Sequence, residues 1–406
     1  MAIGKLSVAI VGGSIGGCAA AIELRRLGFD VTVFERSRNL EDRGAGITLT
    51  LSVLDFLRER DLVGAGLSFF PVRKRQFVVR SDEQDQRFGK TIWESPSLVD
   101  STNWDVLYRE LRQRVPNEVF RAGIRVEAVR NAHDGGELRL SDGTTRSFDL
   151  VVCADGNDSL GRKALFPDCV PRYAGYIAWR GIVPERLVRD MALFENVRLF
   201  AVYESGHAVF YMVPGPKGEV DFAKRRLNWV LYERVSEDNL EAALTDAHGT
   251  KHRSSLPPGA VTKDQRNHLQ LLATRFFSLS IQEVIEATQL PFIQGIYDVN
   301  LPAYYAGRIC LVGDAATLAR PHVGAGTTKA IKDAVALAEA LSSSTTMSQG
   351  LDTWSGKRCQ EGNKLVAQGQ ALGRALVTET PDWATVNDLQ MERIYESAIA
   401  DVGRAR

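Results

Sequence analysis

The chain has 406 residues, enough for two or three domains at about 150 residues each, and its 44% apolar and 25% charged composition argues against a fibre or a long disordered tail. Fifty basic side chains balance fifty acidic ones, so net charge gives no reason to expect nucleic acid or an anionic membrane as partner. Cys18, Cys153, Cys169, Cys310 and Cys359 form no C-x-x-C pair, which speaks against a disulfide framework or zinc cage and for a reducing, cytoplasmic location.

The first predicted element is an apolar strand, Leu6 to Val11. Gly12-Gly13-Ser14-Ile15-Gly16-Gly17 follows as a tight turn, and Cys18 to Leu27 reads as a helix stopped by Gly28. The small apolar stretch superficially copies a signal peptide, but its glycines would weaken a signal helix and fall where a nucleotide-binding turn needs them. A second strand, Val31 to Phe34, ends at Glu35, 18 residues after Gly17, close to the spacing at which an acidic side chain meets ribose hydroxyls. Gly12 permits the sharp turn, Gly17 lets helix and strand approach, and the helix N-terminus offers free N–H groups to a pyrophosphate. Ser14 replaces the usual middle glycine.

Asp149 to Ala154 reads as a short buried strand followed by Asp155-Gly156, with Ser159 and Arg162 opening a helix. From about Arg172 to Leu290 the pattern turns to alternating strands, among them Val197 to Tyr203, His207 to Val213 and Arg226 to Tyr232. His207, Val209 and Tyr211 share one strand face. The outer two are about 13 Å apart at 3.3 Å per residue, wide enough to flank a bound ring. The plainer reading makes His207 a hairpin surface residue and Tyr211 an ordinary strand aromatic. Trp179, Trp229 and Tyr232 line the pocket or fill the core; the pattern does not choose. Lys224-Arg225-Arg226 reads as a solvated turn. His248 and His252 have metal-ligand spacing, but Gly249 interrupts them and no third ligand clusters there, so no metal is expected.

Gly307 to Val312 repeats the plan of a strand ending in Gly313-Asp314, and Pro321-His322-Val323-Gly324-Ala325-Gly326 leads into a helix from about Thr327 to Leu341. Glu35, Asp155 and Asp314 thus stand at the C-terminal ends of three strands, where an open α/β sheet binds ligands. After about Gly350 the chain reads as helical with a break at Pro381, a tail expected to pack on the cofactor domain or a neighbouring subunit.

GGSIGG with Glu35-Arg36, ADGNDSLGR, and GRICLVGDAA followed by RPHVGAG together resemble the single-component FAD-dependent aromatic hydroxylases, the p-hydroxybenzoate hydroxylase fold group, from Ser7 to about Leu341. Tyr173-Ala174-Gly175-Tyr176, Trp179-Arg180-Gly181 and Arg320-Pro321-His322 are most similar to the branch acting on hydroxylated pyridines. The resemblance implies an α/β fold: a Rossmann-type, glutathione-reductase-like FAD-binding domain, an inserted and mainly antiparallel substrate sheet, and C-terminal helices. The implied boundaries are 1–71, 96–170 and 291–345 for the FAD domain, 72–95 and 171–290 for the substrate domain, and 346–406 for the helical tail.

By the same resemblance Gly12, Ser14, Ile15 and Gly17 hold the FAD pyrophosphate, and Glu35 and Arg36 meet the adenosine ribose. Arg43, Gly46 and Ile47 run alongside the flavin, Asp155 lies near the cofactor, Asp314 binds the ribityl chain, and Gly324, Gly326 and Thr327 present N–H groups to the isoalloxazine. Two positions depart from the family: Trp104 stands where an arginine is usual, three residues before Leu107, and Thr317 replaces the histidine after G-D-A-A. The implied activity is NAD(P)H-consuming monooxygenation of a hydroxylated aromatic or pyridine ring by O2 through a flavin C4a-hydroperoxide, with NADH or NADPH binding transiently because no second dinucleotide fingerprint appears. The pyridine branch carries H-x-x-x-Y in the corresponding segment, which makes His207 and Tyr211 the base and its relay. His322 is the second candidate base. The rivals are a flavin-dependent halogenase, disfavoured because Trp179 to Pro184 lacks the second tryptophan of W-x-W-x-I-P, a flavin reductase or dehydrogenase, and a non-enzymatic redox sensor. A homodimer is left open.

Overall fold

The β-branched and small residues of Ser7–Val11 are buried along almost the whole strand, the pattern of a parallel strand covered on both faces. The computed structural model describes residues 4–38, 46–81 and 86–399, the side chains of 395–399 excepted. Among these, Ser7–Val11 lies inside a six-stranded sheet. In spatial order its strands are Tyr305–Ala306, Ile309–Leu311, Leu150–Cys153, Ser7–Val11, Asp30–Glu35 and Phe120–Ala122. All pairs are parallel except the first. The helix Ile15–Arg26 buries Cys18, Ala19, Ala20 and Ala21, and the small side chains let it pack closely on the helix Gly326–Ser343. A Cβ at Gly16 would lie 3.4 Å from that of Ala330.

A second sheet of nine strands runs Ser255–Leu256, Phe292–Asp298, Arg172–Pro184, Arg226–Arg234, Gly206–Val213, Val197–Tyr203, Phe70–Val79, Lys90–Asn103 and Gly46–Thr50. Only Val197–Tyr203 against Phe70–Val79 is parallel. Gly46–Thr50 and Phe292–Asp298 come from stretches that the sequence reading gives to the FAD domain. They join this sheet because backbone ladders follow register rather than composition. The central strands alternate between two faces. Trp179, Phe210, Trp229 and Leu231 face a core closed by the helices Lys263–Phe276 and Leu279–Glu286. Tyr176, Val209, Tyr211 and Tyr232 face the opposite way.

The tail covers that second face. The helix Met347–Gly373 packs on Gly326–Ser343, and the following π-turn Arg374–Thr378 crosses to the substrate sheet. Leu372, Leu376, Val377, Trp383 and Met391 share a core with Tyr176, Tyr211 and Tyr232. The expected resting place on the cofactor domain is therefore half the answer, since the apolar residues after Gly373 need a second apolar face and the sheet supplies it. The Lys224-Arg225-Arg226 turn is also corrected. Arg225 and Arg226 are buried, and Arg225 pairs with Glu185 and, at 3.0 Å, with Glu195. His252 bonds Asp246 at 2.9 Å, and no three metal-ligating side chains cluster among the described residues.

Candidate active site

Adjacent parallel strands carry Gly12, Glu35, Asp155 and Asp314 to one edge of the six-stranded sheet. Gly12 takes φ +97°, a conformation that favours glycine, and a Cβ there would lie 2.5 Å from the Ala154 carbonyl oxygen. A Cβ on Gly17 would overlap the Gly12 carbonyl oxygen, so the helix begins flush against the strand end. Ser14 occupies the N-cap, yet its side chain makes no capping bond and the first turn holds no acidic residue. The leading N–H groups are thereby left for a bound anion. Glu35 is buried and its carboxylate accepts from Gly13 N and Ser37 N, each at 2.8 Å, keeping lone pairs for hydroxyl donors. Arg36 is exposed at the end of the same strand.

Asp314 lies in a recess: its side chain is open to solvent, yet the protein crowded around it raises its carboxyl above the ordinary range, with Lys329 and Arg162 opposing. Asp155 is half-buried and burial raises its carboxyl too. One of its oxygens accepts from Leu160 N at 2.6 Å, while Oδ1 is buried without a partner. The Gly-Asp turn is held rigidly. Arg162, almost wholly buried, donates to the carbonyls of Asp314 at 3.1 Å and Ala315 at 3.0 Å. Asp333 accepts from Gly313 N at 2.9 Å and from Lys329 and Arg358 at 2.6 Å each.

Gly324 and Gly326 are exposed on the floor of the recess, and Thr327 is half-buried beside them. The Gly326–Ser343 helix likewise has no side-chain cap. Across from it, Thr48 Oγ1 lies 3.6 Å from the Cβ position of Gly324, with Ile47 half-buried alongside. Arg43 lies outside the described residues. Two uncapped helix N-termini, an orphaned carboxylate oxygen and an exposed glycine floor suit a long dianionic dinucleotide. The residues present fit FAD.

Beyond this recess, histidines and tyrosines meet on the tail-covered face. His207 is buried, and its Nδ1 lies 3.2 Å from the Leu376 carbonyl oxygen. That oxygen only accepts, so Nδ1 carries the hydrogen and Nε2 keeps its lone pair. Burial pushes the His207 pKa down to about 3. The His322 ring centre lies 5.3 Å from that of His207 and 4.4 Å from that of Tyr232. Its Nε2 is 2.8 Å from the Tyr176 hydroxyl, and its Nδ1 is buried with no partner. Burial moves His322 far below the usual histidine range, so both rings are neutral at neutral pH.

Tyr211 does not continue a relay from His207. Its hydroxyl donates to the Gly46 carbonyl at 2.8 Å, and Gly46 N donates to Asn228 Oδ1 at 2.9 Å. Tyr211 and Asn228, directly opposite on neighbouring strands, therefore clamp the start of the strand Gly46–Thr50, whose Thr48 faces Gly324. Sequence reasoning missed Asn228, Asp333 and Tyr176; the register between three different strands, which no single strand's parity shows, brings Tyr176 and Tyr232 to the Tyr211 face. Trp104 stacks on Tyr108 with ring centres 5.0 Å apart, and Thr317 is buried against the Tyr304 hydroxyl.

Three family models match the chain: an NAD(P)-binding Rossmann-like domain over 10–40, an FAD binding domain-like model over 173–298 and an FAD binding domain over 295–369. The chain is 29% identical over 373 residues to 2,6-dihydroxypyridine 3-monooxygenase of Paenarthrobacter nicotinovorans, covering 91% of each chain. It is 28% identical over 345 residues to 3-amino-4-hydroxybenzoate 2-monooxygenase of Streptomyces cremeus, covering 82% of this chain and 77% of the relative. The solved structure of 2,6-dihydroxypyridine-3-hydroxylase from Arthrobacter nicotinovorans superposes with a TM-score of 0.84 at 27% identity, over 92% of this chain and 93% of the other. With the dinucleotide recess, the inserted sheet and these relatives in agreement, the chain belongs to the FAD-binding monooxygenases of the p-hydroxybenzoate hydroxylase-like group.

Proposed function

We propose that this monooxygenase hydroxylates a hydroxylated pyridine or closely related ring, held against His207, Tyr232 and His322, at the expense of NADH or NADPH. The observation that carries the reading is the pair of neutral imidazoles, His207 buried and His322 half-buried with one nitrogen buried and unpartnered, set beside the loop that leads to Gly324. The activities of the relatives, on a dihydroxypyridine and an aminohydroxybenzoate, support the same substrate class. Five free cysteines support a reducing compartment, and among the described residues no helix is long and apolar enough to cross a membrane.

Gly12, Ser14, Ile15, Gly17 and Glu35 would hold the adenosine diphosphate half of FAD, and Asp314, Gly324, Gly326 and Thr327 its other half. Bound FAD supplies hydride acceptance and oxygen activation. The protein does the rest. Leu376, Val377 and Trp383 cover the ring site and keep water from it. His207 Nε2 accepts a hydrogen bond from an acidic hydrogen of the ring, on a hydroxyl or on the ring nitrogen, and so enriches the ring in electrons. Its lowered basicity makes complete proton removal cost several kcal/mol at neutral pH, so acceptance of a strong hydrogen bond is its main contribution.

The test is a panel of hydroxypyridines and hydroxybenzoates, following NADH and NADPH oxidation with mass spectrometry of the products. One substrate should gain a single oxygen atom. Peroxide release alone, or halide incorporation, would refute the reading. With the accepted substrate, His207→Ala should lower kcat/KM by at least about tenfold, the worth of one buried hydrogen bond, with flavin content unchanged. Tyr211→Phe, which frees the Gly46 carbonyl, should act more weakly and raise the fraction of NAD(P)H spent without oxygen insertion.

A further inference from the structure

We propose that Tyr176 and the Leu376 carbonyl lock the two active-site imidazoles in complementary roles, His322 donating through Nδ1–H and His207 accepting at Nε2, so that the pair recognises the adjacent C=O and N–H of a lactam-form hydroxypyridine.

The argument begins with Tyr176, which is fully buried. A buried phenol must place its hydrogen on an acceptor. Arg320 lies over the Tyr176 ring, 5.6 Å from its centre. Arginine has no lone pair to offer. Among the described residues His322 Nε2 is the acceptor within reach, at 2.8 Å. The phenol hydrogen therefore goes to Nε2, and the neutral ring carries its own hydrogen on Nδ1. That is the buried nitrogen left unpartnered.

Arg320 is itself fixed. Its Nε donates to Asp298 Oδ2 at 2.7 Å, and Gln370 donates to Oδ1 of the same carboxylate at 3.1 Å. Gly373 leaves the space this needs, since a Cβ there would sit 2.5 Å from the Tyr176 hydroxyl and 2.7 Å from an Arg320 nitrogen. His207 is set in the opposite sense by Leu376, as its Nδ1–H is committed to the carbonyl. The pair thus offers one donor and one acceptor from rings 5.3 Å apart. A lactam presents the matching acceptor and donor on neighbouring ring atoms. A ring with a lone hydroxyl satisfies only one of them and leaves the other buried group unpaired, which is costly. Tyr176 is a positioning residue here, acting through His322.

This deepens the reading above and rests on it for the place of the substrate, but its test needs no turnover. The full-length, flavin-loaded enzyme is labelled with 15N-histidine, and His207→Gln and His322→Gln assign the two resonances. In the wild type both rings should show a protonated Nδ1 and a bare Nε2. Tyr176→Phe should convert His322 to the Nε2-protonated form and leave His207 unchanged. A wild-type His322 protonated at Nε2, or at both nitrogens, overturns the proposal even if the variant fails to fold. An unchanged His322 in a folded Tyr176→Phe enzyme overturns it as well. For the ligand class, the probes are 2-pyridone and N-methyl-2-pyridone, titrated against the flavin absorbance of the oxidised enzyme. The N-methyl compound, lacking the donor, should bind on the order of tenfold more weakly, and His207→Leu, which removes the acceptor, should narrow that gap. Equal affinities for the wild type would refute the lactam assignment whatever ring the enzyme oxidises.

Discussion

Gly12→Val should give colourless protein, with a flavin-to-protein absorbance ratio near zero after purification and no recovery on adding FAD. The substitution forces a β-branched residue to φ +97°, a strained conformation for such a side chain. It also drives a Cβ to 2.5 Å from the Ala154 carbonyl oxygen. Ala154 N donates to the Val11 carbonyl at 2.8 Å, so the collision falls on the seam between the two central strands and pushes apart the edge from which Gly12 and Asp155 reach the recess. Damage here is a matter of backbone against backbone, which no rotamer change relieves. A yellow, fully loaded variant would mean that these strand ends do not grip the cofactor.

Asp333→Ala should cost about 3–5 kcal/mol of stability, the usual penalty for removing one partner from a buried ion pair, measured as a lowered urea midpoint with loss of flavin. Asp333 is fully buried, as nearly are Lys329 and Arg358, and its carboxylate also receives Gly313 N. The substitution strands two cations and one amide at once, and the turn that presents Asp314 loses its anchor. Asp333→Asn retains an acceptor for Gly313 and should fall between wild type and alanine. An unshifted midpoint in the alanine variant would show that water reaches the cluster and that the turn stands without it.

Much of the cofactor region was legible because local rules and tertiary need coincide there. Gly12, Gly17 and Glu35 are dictated by a turn, a close approach and a spacing, all of them short-range along the chain. The same holds for Asp155 and Asp314, each directly after a buried strand. The Asp333 cluster was not legible, since its members lie on two helices and a turn, and a lysine and an aspartate four apart on a helix ordinarily read as a solvated pair. Lys224-Arg225-Arg226 misled for a related reason: a run of charge looks exposed until the fold brings Glu185 and Glu195 to meet it.

The substrate side divides differently. Period-2 alternation correctly put His207 and Tyr211 on one face, but strand parity says nothing about what that face meets. Tyr211 met Gly46, more than 160 residues earlier in the chain, and His207 met the Leu376 carbonyl, supplied by a tail expected to lie elsewhere. Nor did the ordinary pKa of histidine carry over, because burial under that tail depends on tertiary packing and pushes both rings toward neutrality. The amino-acid sequence by itself determined the dinucleotide-binding strand, turn and helix, the α/β class and the family. Only the tertiary structure decided which histidine faces which partner, because that partner comes from a part of the chain no local pattern can point to.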